Sequence, residues 1–433
     1  MLGTIVLIIM LAVELGFAVF CITTKSVQKF IRSIVNLSEF VLMVLLLVTG
    51  VMNWGFRWTM LFVILLIRSL LAGWYLIKRN SQKVKTYKVK YVILSGISSI
   101  LLVGFAISPA IVFPQFKPVE VTGNYPVETV SYTLTDKGRA ETFSEAPQDR
   151  NVTIQFWYPK TSNETFPLVV FSHGSFGFRG SNASTFEDLA SNGYVVCSID
   201  HTYHAFFTKQ TDGEMIIANM DFINETIAVT NEDYDTQKTY ELTSQWLKLR
   251  QQDMNFVLEE ILKGTKQADA DEVYQLIDTD KIGLFGHSMG GATAAALGRD
   301  RSDIDAVIVV DGTMLGEEIG FENGKTILKS DAYPIPILNL YNEDHYKDAK
   351  QAGMDYANSY ASANAFDARE IVIKGSGHLN YTDLPLFSPT LARMLGTGEV
   401  DSRYCIETTN QIIIKYFNHY LKGVKDLELL SEY

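Results

Sequence analysis

The sequence predicts an α/β fold, a mostly parallel sheet with helices on both faces, preceded by a four-helix transmembrane region. Three observations predict it. Four apolar stretches, near residues 3–22, 34–53, 57–77 and 91–113, are each long enough to cross a bilayer. The rest of the chain alternates strand-like and helix-like runs. One junction between them, Gly286-His-Ser-Met-Gly290, reads as a sharp strand-to-helix turn carrying a serine.

The apolar region comes first, and its charges orient it. Residues up to Phe113 hold eleven Lys or Arg against two Glu, a net +9, which leaves −21 on the rest of a chain whose total is −12. So acidic a domain is a poor match for nucleic acid or for anionic lipid. Lys25, Lys29 and Arg32 follow the first span, and Lys78, Arg79, Lys83, Lys85, Lys88 and Lys90 follow the third, whereas Arg57 stands alone after the second. Positive loops stay in the cytoplasm, so the protein is expected in the cell membrane with its large C-terminal domain extracytoplasmic. The first span lacks the basic start and small-residue cleavage site of a signal peptide. Glu14 and Arg68 lie at similar depth in spans of the same direction and are expected to pair. Glu39, near the cytoplasmic end of its span, is expected to reach water.

Residues 114–120, with Pro114 and Pro118, read as a tether, and 121–433 as one large domain. Strand-like runs recur at 129–134, 152–158, 168–172, 194–199, 282–285, 306–310, 335–341 and 370–374. Several, such as Val307-Ile-Val-Val310, are apolar on both faces, as buried central strands of a parallel sheet are. Helical patterns lie near 183–192, 240–263, 289–300, 350–364 and 404–422. Between Ile199 and Lys281 the rhythm breaks, and Phe206, Met215, Ile217, Met220 and Phe222 make residues 205–245 a lid insertion in expectation. Cys21, Cys197 and Cys405 form no disulfide framework. Asn151, Asn163, Asn182, Asn224 and Asn380 begin glycosylation triplets, which matter only in a glycosylating pathway.

A serine hydroxyl needs a base to take its proton and an acid to orient that base. Downstream of Ser288, the bases available are His345, His378 and His419. His378 is favoured because Lys374-Gly-Ser-Gly-His378 follows the last strand with a glycine-rich turn. Two places can supply the acid: Asp311, ending the strand after the elbow helix, and Glu343-Asp344, ending the next. Fold logic leaves both open. An oxyanion needs two backbone N–H donors, expected from Met289 and from Ser175 in Phe171-Ser-His-Gly-Ser-Phe-Gly177. His173 is expected to brace that loop, and His287 to face away from the serine. Asp200-His201 with His204 resembles a metal-ligand pair but lacks a third ligand, so neither metal nor cofactor is expected. Gly320-Phe-Glu-Asn-Gly-Lys-Thr326 is one residue short of a phosphate loop and reads as a surface turn.

From about Val121 to Gly423 the pattern resembles the plasma-type platelet-activating factor acetylhydrolase family and its bacterial relatives. The resemblance is carried by Thr122-Gly-Asn-Tyr125, Asp136 with Arg139, Phe156-Trp-Tyr-Pro159, Val169-Val-Phe-Ser-His-Gly174, Asp200-His201, the elbow, Val310-Asp-Gly312 and Gly375-Ser-Gly-His378. It implies an α/β-hydrolase fold that cleaves short or oxidised acyl esters without metal. The family's acid lies on the strand after the elbow helix, which implies Asp311 with Asp344 in reserve, and its oxyanion donors map to Ser175 and Met289. The four spans, the serine at 175 and the interval 205–245 depart from the family pattern. The expected function is therefore a membrane-anchored serine esterase acting on small-molecule or lipid esters. The alternatives are an envelope acyltransferase and a catalytically silent membrane sensor or scaffold.

Overall fold

The computed structural model describes residues 2–78, 87–144, 146–161 and 164–433. Arg79, Lys83, Lys85 and Asn163 lie outside the described residues. The chain divides into two compact units, Met1–Lys117 with Leu386–Leu391, and Pro118–Pro385 with Ala392–Tyr433.

The first unit holds four helices, α1 (Leu2–Thr23), α2 (Lys29–Val48), α3 (Phe56–Ile77) and α4 (Val89–Val112), each long and apolar enough to cross a membrane. Their inner faces pack Met10, Met43, Trp58, Leu61 and Val103. Their outer faces are apolar too, with Ile8, Leu70 and Leu101 exposed. Helix α2 starts five residues before the expected span, which takes Arg32 out of the loop and into the bundle. There Arg32 grips both oxygens of Glu14, at 2.8 and 2.6 Å, while Arg68 reaches the same carboxylate at 3.1 Å and Ser99 donates to it at 2.6 Å. The expected Glu14–Arg68 pair is thus one arm of a larger cluster. The same shift corrects Glu39: it lies mid-helix, its carboxylate oxygens buried, beside a cavity of about 370 Å³ lined mostly by apolar side chains.

In the second unit an eight-stranded sheet is built from β1 (Val127–Ala140), β2 (Asp149–Pro159), β3 (Phe166–Ser172), β4 (Val195–Asp200), β5 (Ile277–His287), β6 (Ala306–Val310), β7 (Ile337–Asn342) and β8 (Ala368–Ile373). The spatial order is β1-β2-β4-β3-β5-β6-β7-β8. Pairs β1/β2 and β2/β4 are antiparallel, and every other pair is parallel. Strands β3, β4, β6 and β7 are buried along their whole length because helices cover both faces. One face packs Val170, Ile199, Met254, Leu258 and Leu284. The other packs Phe171, Phe186, Phe285, Ile412 and Phe417. The helices of this unit include α5 (Ala183–Ser191), α6 (Met220–Thr230), α7 (Thr236–Gly264), α8 (Met289–Asp300), α9 (Glu343–Ala352), α10 (Ala357–Ala363) and α11 (Ser402–Lys422).

The helix expected at 350–364 covers α10 and only the end of α9, because Glu343-Asp344 reads as a strand end. Asn342 turns the chain instead, its side-chain oxygen accepting the His345 N–H at 2.9 Å as an N-cap. The interval after β4 forms a small hairpin, Phe207–Lys209 with Met215–Ile217, then α6 and the start of α7. The segment Gly320–Thr326 forms a second hairpin that turns at Asn323 and Gly324. All three cysteines are free and buried.

Candidate active site

Strand β5 delivers Ser288 to the carboxyl edge of the sheet, the edge where ligands bind in open α/β folds. Ser288 stands at φ 55°, ψ −125°, between the strand and α8. Few non-glycine residues adopt that backbone, and its energy is met by surrounding contacts. The Ser288 N–H donates to Val310 O at 2.8 Å. A Cβ on Gly290 would fall 1.9 Å from Ser172 O, so only glycine lets α8 start this close to β3. The run Ala292–Leu297 is buried and small enough to press α8 onto the sheet.

Asp311 follows β6, at φ 49°, its N–H bound to Leu340 O of the neighbouring strand. Its carboxylate is buried and accepts four hydrogen bonds. Oδ1 takes the Asn342 backbone N–H and His345 Nδ1, both at 2.8 Å. Oδ2 takes Asn342 Nδ2 and His378 Nδ1, both at 2.6 Å. Burial by itself would raise the Asp311 pKa, but the His345 and His378 donors outweigh it and hold the carboxyl well below the usual range. His378 opens the turn after β8, its side chain 43% exposed, so its ring joins a buried acid to an accessible edge. His345 Nε2 faces the Tyr356 hydroxyl at 2.5 Å, which in turn meets Thr313 Oγ1 at 2.9 Å.

Asp344, the reserve acid, lies in the first turn of α9 with its side chain 89% exposed, 3.3 Å from Lys347. The structure brings Asp311 to His378 and leaves Asp344 on the surface. His419 sits in the last turn of α11, bonded to Val424 O. His287 donates through Nε2 to the His378 carbonyl at 3.0 Å. Burial, with the His378 ring beside it, pulls the His287 pKa down to about 3, so it remains neutral.

The loop after β3 lies against the serine: a Cβ on Gly174 would come within 3.2 Å of Ser288 Cβ. The loop turns tightly, Gly177 N–H donating to Gly174 O at 3.0 Å. Among the described residues, the Ser175 and Met289 N–H groups donate to no backbone carbonyl. Met289 also packs with Phe222, Leu242 and Trp246, which brings α6 and α7 against the elbow.

Beneath the loop lies a second constellation of the same residue types. Ser172 Oγ meets His201 Nε2 at 2.8 Å, and His201 Nδ1 meets Asp253 Oδ2 at 3.1 Å. All three are fully buried, and Arg150 grips Asp253 at 2.6 Å through both carboxylate oxygens. A nucleophile sealed from solvent meets no substrate, so exposure separates the two sets. Burial lowers the His201 pKa to about 4, against the Asp253 hydrogen bond. The residues that resembled metal ligands are engaged elsewhere: Asp200 pairs with Arg179, and His204 stacks on Phe222 at 3.8 Å.

Strand order, elbow and covering helices define an α/β hydrolase fold. A ferulic acid esterase from Streptomyces cinnamoneus shares that fold, with a TM-score of 0.57 and 20% identity over 73% of this chain and 97% of its own. Residues 147–429 match the sequence model of platelet-activating factor acetylhydrolase, isoform II. The chain belongs to that family. A platelet-activating factor acetylhydrolase of Canis lupus familiaris is 27% identical over 289 residues, covering 62% of this chain and 60% of its own. A probable 1-alkyl-2-acetylglycerophosphocholine esterase of Arthroderma benhamiae is 24% identical over 244 residues, 55% of this chain and 54% of its own. The chain thus spans 54–60% of the length of these two relatives.

Asn342, His345 and Tyr356 around the acid, and Arg250 beneath the loop, escaped the sequence reading as partners of the site. His345 was legible only as another base downstream of the serine. Nothing in the spacing says that β6 and β7 lie side by side, which is what brings their ends together.

Proposed function

We propose that this protein is a membrane-anchored serine hydrolase of carboxylic esters, with Ser288 as nucleophile, His378 as base and Asp311 as the acid that orients it. The observation that carries the reading is the Asp311–His378 hydrogen bond at 2.6 Å on the sheet edge that carries Ser288. Asp311 holds the proton on His378 Nδ1, which leaves Nε2 free to take the Ser288 proton as Oγ attacks the acyl carbon. The developing oxyanion is received by the Ser175 and Met289 N–H groups, with the positive end of α8 behind them. His378 then returns the proton to the leaving alkoxide, and water repeats the sequence on the acyl-enzyme. The names of the relatives support short acyl esters of glycerophospholipids as the substrate class.

Residues 1–113 are the anchor in this reading, 114–120 the tether and 121–433 the hydrolase, with 205–245 as a lid. Outward-facing apolar residues on all four helices support the anchor, and the contact of Phe222 with Met289 supports the lid. The basic loops support an orientation with the hydrolase outside the cytoplasm.

One experiment tests both parts. A charged, membrane-impermeant fluorophosphonate applied to intact cells should label Ser288, and Ser288→Ala should abolish labelling and lower ester turnover on the order of 10⁶-fold. Labelling only after lysis would reverse the orientation. A folded wild-type protein that resists the probe in lysate would remove the mechanism.

A further inference from the structure

Arg250, on α7, is fully buried, yet among the described residues its hydrogen-bond partners are carbonyls and one imidazole; none is a carboxylate. A buried cation without a counter-ion in contact is costly to keep. Its position shows what it serves. Nη1 donates to His173 O at 2.5 Å, and Nη2 to Gly174 O at 3.5 Å and His204 O at 3.2 Å. The fork therefore spans two successive carbonyls of the loop beside Ser288. The Gly174 carbonyl also accepts from His173 Nδ1 at 2.6 Å and from the Gly177 N–H at 3.0 Å. Burial holds the His173 pKa well below its ordinary value, so this ring stays neutral and keeps its Nδ1 proton on that carbonyl.

In a trans peptide the N–H points opposite to the C=O of the same unit. The Gly174 carbonyl and the Ser175 N–H belong to one such unit. Donors that draw the carbonyl inward turn the Ser175 N–H the other way. A cation on the carbonyl also polarises the unit and strengthens the N–H as a donor.

We propose that Arg250 is a positioning residue for ester hydrolysis: from beneath, it clamps the His173 and Gly174 carbonyls so that the Ser175 N–H is preset to receive the oxyanion. The proposal rests on the reading of Ser288 as nucleophile and Ser175 as oxyanion donor. Arg250 touches no reacting atom; it acts through the backbone.

The test uses the full chain in detergent, with Arg250→Met and Arg250→Lys. It measures kcat and KM on p-nitrophenyl acetate, the inhibition constant of a trifluoromethyl ketone, and Ser288 labelling by a fluorophosphonate. A trifluoromethyl ketone forms a tetrahedral oxyanion on the serine, so its affinity reports the oxyanion site directly. Arg250→Met should lower kcat roughly 100-fold, near the loss for one oxyanion donor, with KM within about threefold. Ketone affinity should weaken by the same factor, and Arg250→Lys, which keeps the charge but not the fork, should recover part of both. A general loss of packing would instead lower the active fraction and leave ketone affinity per active site unchanged, which overturns the proposal. So does a folded Arg250→Met with wild-type kcat. If Arg250→Met does not fold, Arg250→Lys decides, and wild-type kcat with wild-type ketone affinity there overturns it. Wild-type enzyme that turns over esters without labelling at Ser288 removes the underlying reading, an outcome separate from these.

Discussion

Replacing Asp311 by asparagine changes one atom, and the surrounding donors dictate how the new amide must sit. The carboxylate accepts four hydrogen bonds, two on each oxygen. An amide has one acceptor oxygen, so its NH₂ must face two donors whichever way it turns. On the Oδ1 side one donor is the Asn342 backbone N–H, which cannot reverse. On the Oδ2 side the donors are Asn342 Nδ2 and His378 Nδ1, and an imidazole can move its proton to the other nitrogen. The amide oxygen should therefore occupy the Oδ1 position and its NH₂ should face His378. His378 would then accept at Nδ1 and carry its proton on Nε2, the nitrogen that takes the serine proton in the proposed mechanism. Asn342 cannot relieve the conflict freely, because its own oxygen caps α9. A wrong-tautomer base in an otherwise intact site costs about 10⁴ in kcat, or about 5.5 kcal/mol of barrier. The assay is kcat and KM on p-nitrophenyl acetate, with a thermal melt to show folding and Asp344→Asn alongside. Asp344, with its side chain 89% exposed and paired with Lys347, should tolerate the change within about twofold. A folded Asp311→Asn within tenfold of wild type, or a crippled Asp344→Asn, would refute the reasoning.

Two more predictions concern stability. Gly290→Ala places a methyl carbon 1.9 Å from Ser172 O, backbone against backbone, so neither side can yield cheaply. It should cost at least about 3 kcal/mol and abolish turnover, and a melting midpoint within a few degrees of wild type would contradict the packing argument. The second is pH dependence. Burial depresses His201 to about 4, His287 to about 3, and His173 and His204 well below the ordinary value. Unfolded imidazoles titrate near 6.5, so below that pH the unfolded chain binds more protons and stability falls as pH drops toward 4. Burial raises Asp200 and Asp383 to about 6 and Glu318 to about 7, and these three act in the opposite sense. Burial lifts Glu187 in the same sense as these three. Asp253 and Asp311, held well below the ordinary carboxylate range by their Arg and His partners, lose their stabilisation in acid and side with the four histidines, so stability falls from about pH 6 toward pH 4. The melting midpoint of the full chain in detergent should therefore fall over that range; a flat or rising midpoint would count against neutral buried histidines.

All eight expected strands are present, and their limits moved by at most six residues at either end. Val307-Ile-Val-Val310 shows why: a run apolar on both faces has no stable place except between covering helices, so local composition already implied its neighbours. The elbow was equally legible, because its glycines, serine and small helical residues are contiguous. The start of helix α9 was not, since it depends on one asparagine cap that looks like the end of a strand. The second apolar helix was misplaced for a related reason. Arg32 reads as a loop residue until Glu14 is known to lie opposite it.

The sequence by itself determined the layered fold, the four apolar helices, the serine on its turn and the histidine after the last strand, all of which are written in local periodicity and short motifs. Between Asp311 and Asp344 it could not choose from position alone, and of Arg250 as a partner of the loop it said nothing. Tertiary structure sets Asp311 against His378 and Arg250 against the loop. Asp311 and His378 are separated by 67 residues, and Arg250 and His173 by 77, so neither pair exists until the sheet and α7 assemble. Local sequence sets how each segment folds, whereas a buried charge finds its partner only where distant segments exclude water together.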